Sequence, residues 1–283
     1  MPLIKPKEKT QHNVDCSIII PVYNGLKYTN VCIDTLLKDH TRTSFEIIVV
    51  DNGSTDNSPV YLKSLADKLT IISPGANLGF ARANNLASKQ ASGHYLILLN
   101  NDTIPEPGWL DAMIETAQSD ERIAIVGAKL LYPRDRTVQH AGVVITNDLT
   151  LLHIFEGFPE DYPAVNQRRD FRIVTAACML IRHGIFYNHG GLDEGFINGL
   201  EDVDFCLRVA ETGLRIVYEP RAVVLHHAGM TTGRHIYEIA NAVRLTRLWR
   251  HKLTPDIGKY LDKERYKPIM RRELLMSIPE ELT

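Results

Sequence analysis

The chain has 283 residues, 44% of them hydrophobic and 23% charged, with a net charge of -2. That is the balance of an ordinary soluble globular protein, long enough for one large domain or two small ones, and its charge points to no nucleic-acid partner. No apolar run reaches the roughly 20 residues of a membrane-spanning helix, so any membrane association is expected to be peripheral.

Residues 1–15 are polar and charged, lack the apolar core of a signal peptide, and read as a disordered lead. Residues 17–22 predict a strand, with Pro21 marking an end that needs no ladder donor. Val31, Cys32, Thr35 and Leu36 follow at helical spacing. Residues 45–50 form the second strand, broken by Asp51, Asn52, Gly53 and Ser54. Ser58 reads as an N-cap with Pro59 in the first helical position, and Leu62, Leu65, Ala66 and Leu69 supply that helix with an apolar face. Residues 69–73 are a short third strand. Asn77, Leu78, Gly79 and Phe80 open the next helix, which Gly93 is expected to end.

The fourth strand, 95–99, carries no charge and runs into Asn100, Asn101 and Asp102. Strands alternating with helices in this way predict a mostly parallel sheet covered on both faces. Ligands bind such sheets at the carboxyl edge. A carboxylate there, framed by two amides, can hold a hard cation, the usual partner of a diphosphate. The same three residues also read as a turn towards Pro105 and Pro107.

Beyond Asp102 come a helix at 108–117 and a strand at 123–126, then loops with short strands over 132–170 and a strand over 173–181. A turn with Gly190, Gly191, Gly195 and Gly199 leads to a helix from Glu201 to Gly213. Its core face is Val203, Cys206, Leu207 and Ala210, while Asp204 and Arg208 read as a solvated i,i+4 pair. Glu201 and Asp202 occupy the first turn, where the helix dipole favours negative charge and a carboxylate can face a ligand. Residues 216–218 and 222–225 are two strands ending at His226 and His227. From about Thr232 the composition turns basic: residues 233–283 read as a helical C-terminal extension with Ile239, Val243 and Leu248 inward and Arg244, Arg247 and Arg250 along one side. Cys16, Cys32, Cys178 and Cys206 lie far apart with no C-x-x-C pair, which argues for buried hydrophobes in a reducing cytoplasm and against a zinc site or disulfide framework.

Pro21-Val22-Tyr23-Asn24, Asp51-Asn52-Gly53-Ser54-Thr55-Asp56, Asn77-Leu78-Gly79-Phe80, Asn100-Asn101-Asp102, Gly190-Gly191-Leu192-Asp193-Glu194, Glu201-Asp202-Val203-Asp204 and His226 resemble, in order, the motifs of family 2 glycosyltransferases. The resemblance covers about residues 16–232. Gln139-His140-Ala141-Gly142 and the Asp-Asn form of the second motif carry a closer likeness to the bacterial rhamnosyltransferase-like group that builds surface polysaccharide. It implies a GT-A fold of the α/β class and a cytoplasmic enzyme that moves a sugar, with inversion, from a dTDP- or UDP-sugar to a hydroxyl of a glycan or lipid-linked acceptor.

By the same resemblance Pro21, Tyr23 and Asn24 line the nucleotide, and Asp51 accepts from a pyrimidine ring N–H, beside Asn52, where many relatives carry a second aspartate. Asn77, Gly79 and Arg82 start a helix whose amides face the nucleotide. Asn100 stands at the first position of a D-x-D pattern, followed by Asn101, and Asp102 keeps the metal with His226. A histidine ligand favours Mn²⁺ slightly over Mg²⁺. Asp202 is implied to be the base, with Glu201 contacting the acceptor or orienting the loop. Two other classes compete. A non-catalytic nucleotide-sugar or glycan-binding module is disfavoured by the presence of both Asp102 and Asp202; against an oxidoreductase or nucleotidyltransferase on a related α/β sheet, a dinucleotide site would want G-x-G-x-x-G where Pro21-Val22-Tyr23-Asn24-Gly25 stands. The basic tail suggests peripheral contact with the inner face of the cell membrane.

Overall fold

The computed structural model describes residues 14–229 and 234–261. Most of the expected lead and the end of the C-terminal extension lie outside these residues. Val14 and Asp15, read as the end of that lead, already belong to the first strand, where the Asp15 carboxylate accepts from the Ser44 backbone N–H at 2.8 Å.

The chain alternates as β1 (Val14–Val22), α1 (Leu26–Leu37), β2 (Phe45–Asp51), α2 (Ser58–Lys63), β3 (Thr70–Ile72), α3 (Gly79–Ser88) and β4 (Gly93–Leu99). It continues through β5 (Thr103–Pro105), α4 (Trp109–Gln118), β6 (Ile123–Leu131), β7 (Val138–His140), β8 (Val143–Ile145), β9 (Leu151–His153), β10 (Arg169–Phe171) and β11 (Cys178–Arg182). Last come α5 (His183–Asn188), α6 (Glu201–Ala210), β12 (Arg215–His226) and α7 (Glu238–Trp249). The large sheet has the order β10-β12-β6-β11-β4-β1-β2-β3. Strands β3, β2, β1 and β4 are parallel, and β11 enters antiparallel between β4 and β6, which leaves β6 and β12 running with β4. The carboxyl ends of β1, β2, β4, β6 and β12 therefore share one edge.

Both faces of this sheet are covered, which is why its central strands read as continuous apolar runs. Ile18 and Ile20 of β1 pack with Val49, Leu99, Ile33 and Met113 on one side. Ile19, one residue along, packs with Val50, Leu98, Ala83 and Ala87 on the other. Each fully buried side chain of this size is worth about 1.5–3 kcal/mol of transfer free energy. All four cysteines are free and buried, and burial raises their thiols, that of Cys32 to about 12. Among the described residues no helix is long and apolar enough to cross a membrane.

Several local expectations change. In α1 the buried stripe is Thr29, Cys32, Ile33 and Leu36, and Val31 is exposed. Ser58 is not an N-cap: its own N–H is capped by the Asp56 carboxylate at 2.9 Å, and α2 stops at Lys63, leaving Ala66 exposed. Gly93 does not close α3. It opens β4, where a Cβ would stand 2.5 Å from the backbone of Cys16 and Ser17, so only glycine fits beside that strand. Residues 173–177 lie outside β11: Ile173 bridges to Val143, and the N–H groups of Thr175, Ala176 and Ala177 turn to side chains. The two strands expected at 216–225 form one, β12, bent by a register shift between Glu219 and Val223.

Asp204 and Arg208 are not a solvated pair. Asp204 is 3% exposed; it accepts from Arg208 Nε and from Trp249 Nε1, both at 2.8 Å. Helix α7 is turned accordingly. Its buried stripe is Asn241, Leu245 and Trp249, while Ile239, Val243 and Leu248, expected inward, are exposed. Hydrogen bonds made this choice: the Asn241 amide exchanges bonds with the backbone N–H and carbonyl of Ile197, and Arg244 grips Asp193 at 2.7 Å. Arg244 is thereby removed from the free basic row, leaving Arg247 and Arg250 exposed.

Candidate active site

The shared carboxyl edge opens into one cleft of about 560 Å³, lined by Pro21, Tyr23, Asn52, Asn77, Gly79, Asn100, Asn101, Asp102, Glu201, Asp202 and His226. Pro21 and His226, 205 positions apart, meet there because strand ends converge. Asn24, Asp51 and Arg82 do not line it. Asn24, in the left-handed region at φ 57, uses its side-chain oxygen on the N–H groups of Thr55 (2.7 Å) and Asp56 (3.2 Å). Asp51, buried, accepts from Ser54 N–H at 2.9 Å. These two residues fold the 51–56 turn against the end of β1. Arg82 is 58% exposed and pairs with Glu194 at 3.4 Å.

Asn52 links that turn to the next one, donating to the Gly79 carbonyl at 3.2 Å and accepting from Leu78 N–H at 3.3 Å. Gly79 adopts φ 76, a left-handed conformation glycine tolerates, and Asn77 accepts its N–H at 2.9 Å. The start of α3 is also tied to the far wall: Phe80 N–H donates to Asn198 at 3.0 Å. Asn198 itself sits at φ 51, where asparagine is the usual non-glycine occupant. Pattern reading missed it, since the two positions are 118 residues apart and share no periodicity.

At the end of β4, Asn100 is fixed by its backbone N–H to the Ala177 carbonyl at 3.0 Å, and Asn101 donates to Thr29 Oγ1 at 2.8 Å. Asp102 is 7% exposed. Burial alone would raise its carboxyl, but the hydrogen bond and charge of His226 outweigh that and hold it below the usual carboxylate range. His226, at the end of β12, is locked by Gln139: its Nδ1 lies 2.5 Å from Gln139 Oε1, and Gln139 Nε2 donates to the His226 carbonyl at 3.0 Å. An amide oxygen only accepts, so His226 donates from Nδ1. Its Nε2 faces the Asn100 amide at 3.2 Å and Asp102 Oδ1, also at 3.2 Å. His227 leaves this site and packs its ring on Tyr28, with centroids 4.7 Å apart.

With a proton on Nε2 as well, His226 gives Asp102 the charged hydrogen bond that lowers its carboxyl; with that proton gone the pair is two acceptors 3.2 Å apart, which a cation would bridge. Two ligands at about 2.1 Å from an octahedral ion, at right angles, stand about 3 Å apart, so the pair fits adjacent positions on Mn²⁺ or Mg²⁺. Among the described residues no group of three or more His, Cys, Asp or Glu side chains is placed to hold a metal. The remaining ligands of such an ion would have to come from a diphosphate and water.

In the same cleft, Asp202 lies in the first turn of α6. Its Oδ2 accepts from Ala176 N–H at 3.0 Å and its Oδ1 from Val203 N–H at 2.9 Å, so the carboxylate is held in one orientation by backbone donors. Neighbouring Glu201 is 5% exposed and accepts from Gly199 N–H at 2.6 Å, shaping the loop that leads into the helix. Segment 173–177 is the part sequence reasoning mistook for strand. Thr175 N–H turns towards His140 and Ala176 N–H towards Asp202, bonds that a ladder would have taken.

A family model described as "Glycosyl transferase family 2" matches residues 17–190. An O-antigen biosynthesis protein, RfbC, of Myxococcus xanthus is 36% identical over 222 residues, 75% of this chain and 17% of that protein. An N-acetylglucosaminyl-diphospho-decaprenol L-rhamnosyltransferase of Mycobacterium tuberculosis is 27% identical over 215 residues, covering 69% of this chain and 70% of that one. The chain thus spans well under half the length of the Myxococcus relative and most of the mycobacterial one. Among solved structures, GalNAc-T7 with UDP, GalNAc and Mn²⁺ superposes with a TM-score of 0.66 at 15% identity, over 83% of this chain and 48% of that one. Mannosyltransferase PcManGT of Pyrobaculum calidifontis, in complex with GDP-Man and Mn²⁺, gives 0.61 at 19%, over 94% and 72%. The fold is GT-A, as the motif order implied. With its strand-end motifs gathered in one cleft and the family model covering most of the sheet, the chain belongs to glycosyl transferase family 2.

Proposed function

We propose that the chain transfers a sugar, with inversion, from a dTDP- or UDP-sugar to a hydroxyl of a growing surface glycan or lipid-linked acceptor. The observation that carries this is the presence of two built groups in one cleft: the Asp102 and His226 pair at the strand ends, and the backbone-held Asp202 carboxylate. Asp202 takes the proton of the acceptor hydroxyl as its oxygen bonds to the anomeric carbon, while the bond from that carbon to the diphosphate breaks on the opposite face. Asp102 and His226 would hold a cation, which would supply charge compensation for the departing diphosphate. Glu201 keeps the loop before the base in place.

Pro21, Tyr23, Asn52, Asn77 and Gly79 form the nucleotide end, with Tyr23, 39% exposed, offering a ring for the base to lie beside. Asp51, Asn24 and Arg82 act behind that surface, the first two by holding the 51–56 turn. Asn100 and Asn101 flank the diphosphate. The name of the mycobacterial relative supports a lipid-linked acceptor. The outer face of α7 supports contact with the cytoplasmic leaflet, since Ile239 and Val243 are exposed there with Arg247 and Arg250.

Purified protein tested against a panel of dTDP- and UDP-sugars, with and without Mn²⁺, decides the matter. Metal-dependent release of dTDP or UDP is expected. No release from any donor, or full release in chelator, would overturn the assignment.

A further inference from the structure

The loop of residues 197–200, which leads into α6, is pinned on both sides of Asn198. The Asn241 side chain takes both backbone groups of Ile197, accepting from its N–H at 3.1 Å and donating to its carbonyl at 2.8 Å. The Glu201 carboxylate accepts from Gly199 N–H at 2.6 Å. Between and beside these ties Asn198 and Leu200 both adopt left-handed backbone, at φ 51 and 69. Asparagine tolerates that region, but for a leucine it is strained, and such strain persists where the surroundings over-determine it and clusters at ligand sites. Here the imposed conformation sets Asn198 against the start of α3, 118 residues earlier in the chain.

Helix α3 has no side-chain cap from its own N-cap residue, Leu78. Asn198 supplies one from afar, its Oδ1 accepting Phe80 N–H at 3.0 Å. A backbone N–H only donates, so the atom facing it is the amide oxygen, and the orientation of the amide is fixed with its two N–H groups on the other branch. Asn198 makes no other hydrogen bond among the described residues. It lines the cleft together with Phe80 and Leu200, two partly buried apolar side chains.

In an inverting displacement the attacking oxygen and the departing diphosphate stand on opposite faces of the anomeric carbon, so the donor ring has to lie between the Asp102 and His226 pair and the Asp202 carboxylate. Loop 197–200 runs into Asp202 along the chain and is bonded to the start of α3, at the nucleotide end of the cleft. We propose that Asn198 donates from Nδ2 to a hydroxyl of the donor sugar ring and is a specificity-determining residue for sugar transfer. A hydroxyl oxygen accepts such a bond, and the apolar side chains of Phe80 and Leu200 suit the C–H groups of a pyranose. This rests on the sugar transfer proposed above.

Two independent measurements test it. The first uses the wild-type full chain. The Asn198 side-chain NH2 signals, assigned in ¹⁵N spectra by their loss in Asn198→Asp, which keeps an acceptor for Phe80 N–H, are expected to shift on addition of UDP-galactose, UDP-N-acetylglucosamine or dTDP-rhamnose with Mg²⁺. With UDP or dTDP and Mg²⁺ they should stay near their free positions. Signals that stay still while a donor binds, or that move equally with nucleotide and nucleotide sugar, overturn the proposal. The second is calorimetry. Asn198→Gly keeps the left-handed backbone without strain and removes the amide. It should weaken binding of the nucleotide sugar about three- to tenfold more than binding of the matching nucleotide, the effect of one lost hydrogen bond. That excess should vanish for one monodeoxy analogue of the same donor, the one lacking the hydroxyl that Asn198 reads. Equal losses for nucleotide and nucleotide sugar would leave Asn198 a cap for α3 only and overturn the proposal; if Asn198→Gly does not fold, the wild-type spectra still decide. Wild-type protein that binds none of the three donors overturns the transfer itself and this reading with it, whereas donor turnover with silent Asn198 signals overturns this reading alone.

Discussion

Gln139 is expected to govern metal affinity without touching the metal. It is 7% exposed and gives His226 two bonds, an acceptor for Nδ1 at 2.5 Å and a donor to the backbone carbonyl at 3.0 Å. Gln139→Leu keeps the volume and removes both, so the His226 ring is free to exchange tautomers and to rotate away from Asp102. Loss of such an outer partner weakens metal binding by about 10- to 100-fold, or about 1.4–2.7 kcal/mol. Leaving the Nδ1–H and the carbonyl buried without partners also costs about 1–3 kcal/mol of fold stability per group. The two effects separate by experiment: Mn²⁺ is titrated by electron paramagnetic resonance on protein shown folded by circular dichroism, and the half-saturating Mn²⁺ for donor hydrolysis is measured alongside. Gln139→Glu keeps the acceptor for Nδ1 and is expected to retain metal affinity. A folded Gln139→Leu with wild-type Mn²⁺ saturation would refute the argument that this amide sets the His226 ring.

Asp202→Asn preserves the bonds from Ala176 and Val203 in part but cannot take a proton, so transfer should fall by about 10²-fold or more with donor affinity near wild type; near-normal transfer in a coupled assay would remove Asp202 as base. Asp111 ties α4 to the 41–43 turn: burial opposes its ionisation, but bonds from Thr41, Thr43 and Arg42 outweigh that and hold its carboxyl well below the usual range. Its folded value lies below the unfolded one, so its contribution is full above about pH 4 and is lost as pH falls below that; Asp111→Asn should be less stable at neutral pH and show a shallower acid-side decline in urea melts. On α7, Arg247→Gln with Arg250→Gln should weaken sedimentation with anionic vesicles, at about 1 kcal/mol per residue, and leave donor hydrolysis intact, whereas Arg244→Gln should act by loosening α7 from Asp193. Equal vesicle binding by the double variant and the wild type would leave that helix face without a membrane role.

Much of this molecule was written in short-range pattern. Apolar runs of four to six residues between turn formers located the parallel strands, because a strand buried on both faces has no polar side to interrupt it. Polar residues immediately after those runs marked the carboxyl edge at Asn100 and Asp102, and the family resemblance singled out His226 before any contact was known. What pattern could not supply was the choice of partner. Ile239 and Val243 are more apolar than Asn241, yet Asn241 is the buried one, since its amide meets the backbone of Ile197, 44 residues away, and a hydrogen bond of that kind leaves no periodic trace. Asp204 and Arg208 looked like a surface pair from their i,i+4 spacing; Trp249, brought over by α7, buries them.

The same division runs through the site. Sequence alone determined that a carboxylate would stand at the end of β4 and a histidine at the end of a later strand, because strand length and turn chemistry are local properties. Tertiary structure decided that Gln139 would orient that histidine, that segment 173–177 would leave the ladder to hold Asp202, and that Asn198 would cap α3 from the far wall. Each of these is a directional bond between residues far apart in the chain, satisfied only once the sheet has closed and excluded water, and only then does it matter which nitrogen carries a proton.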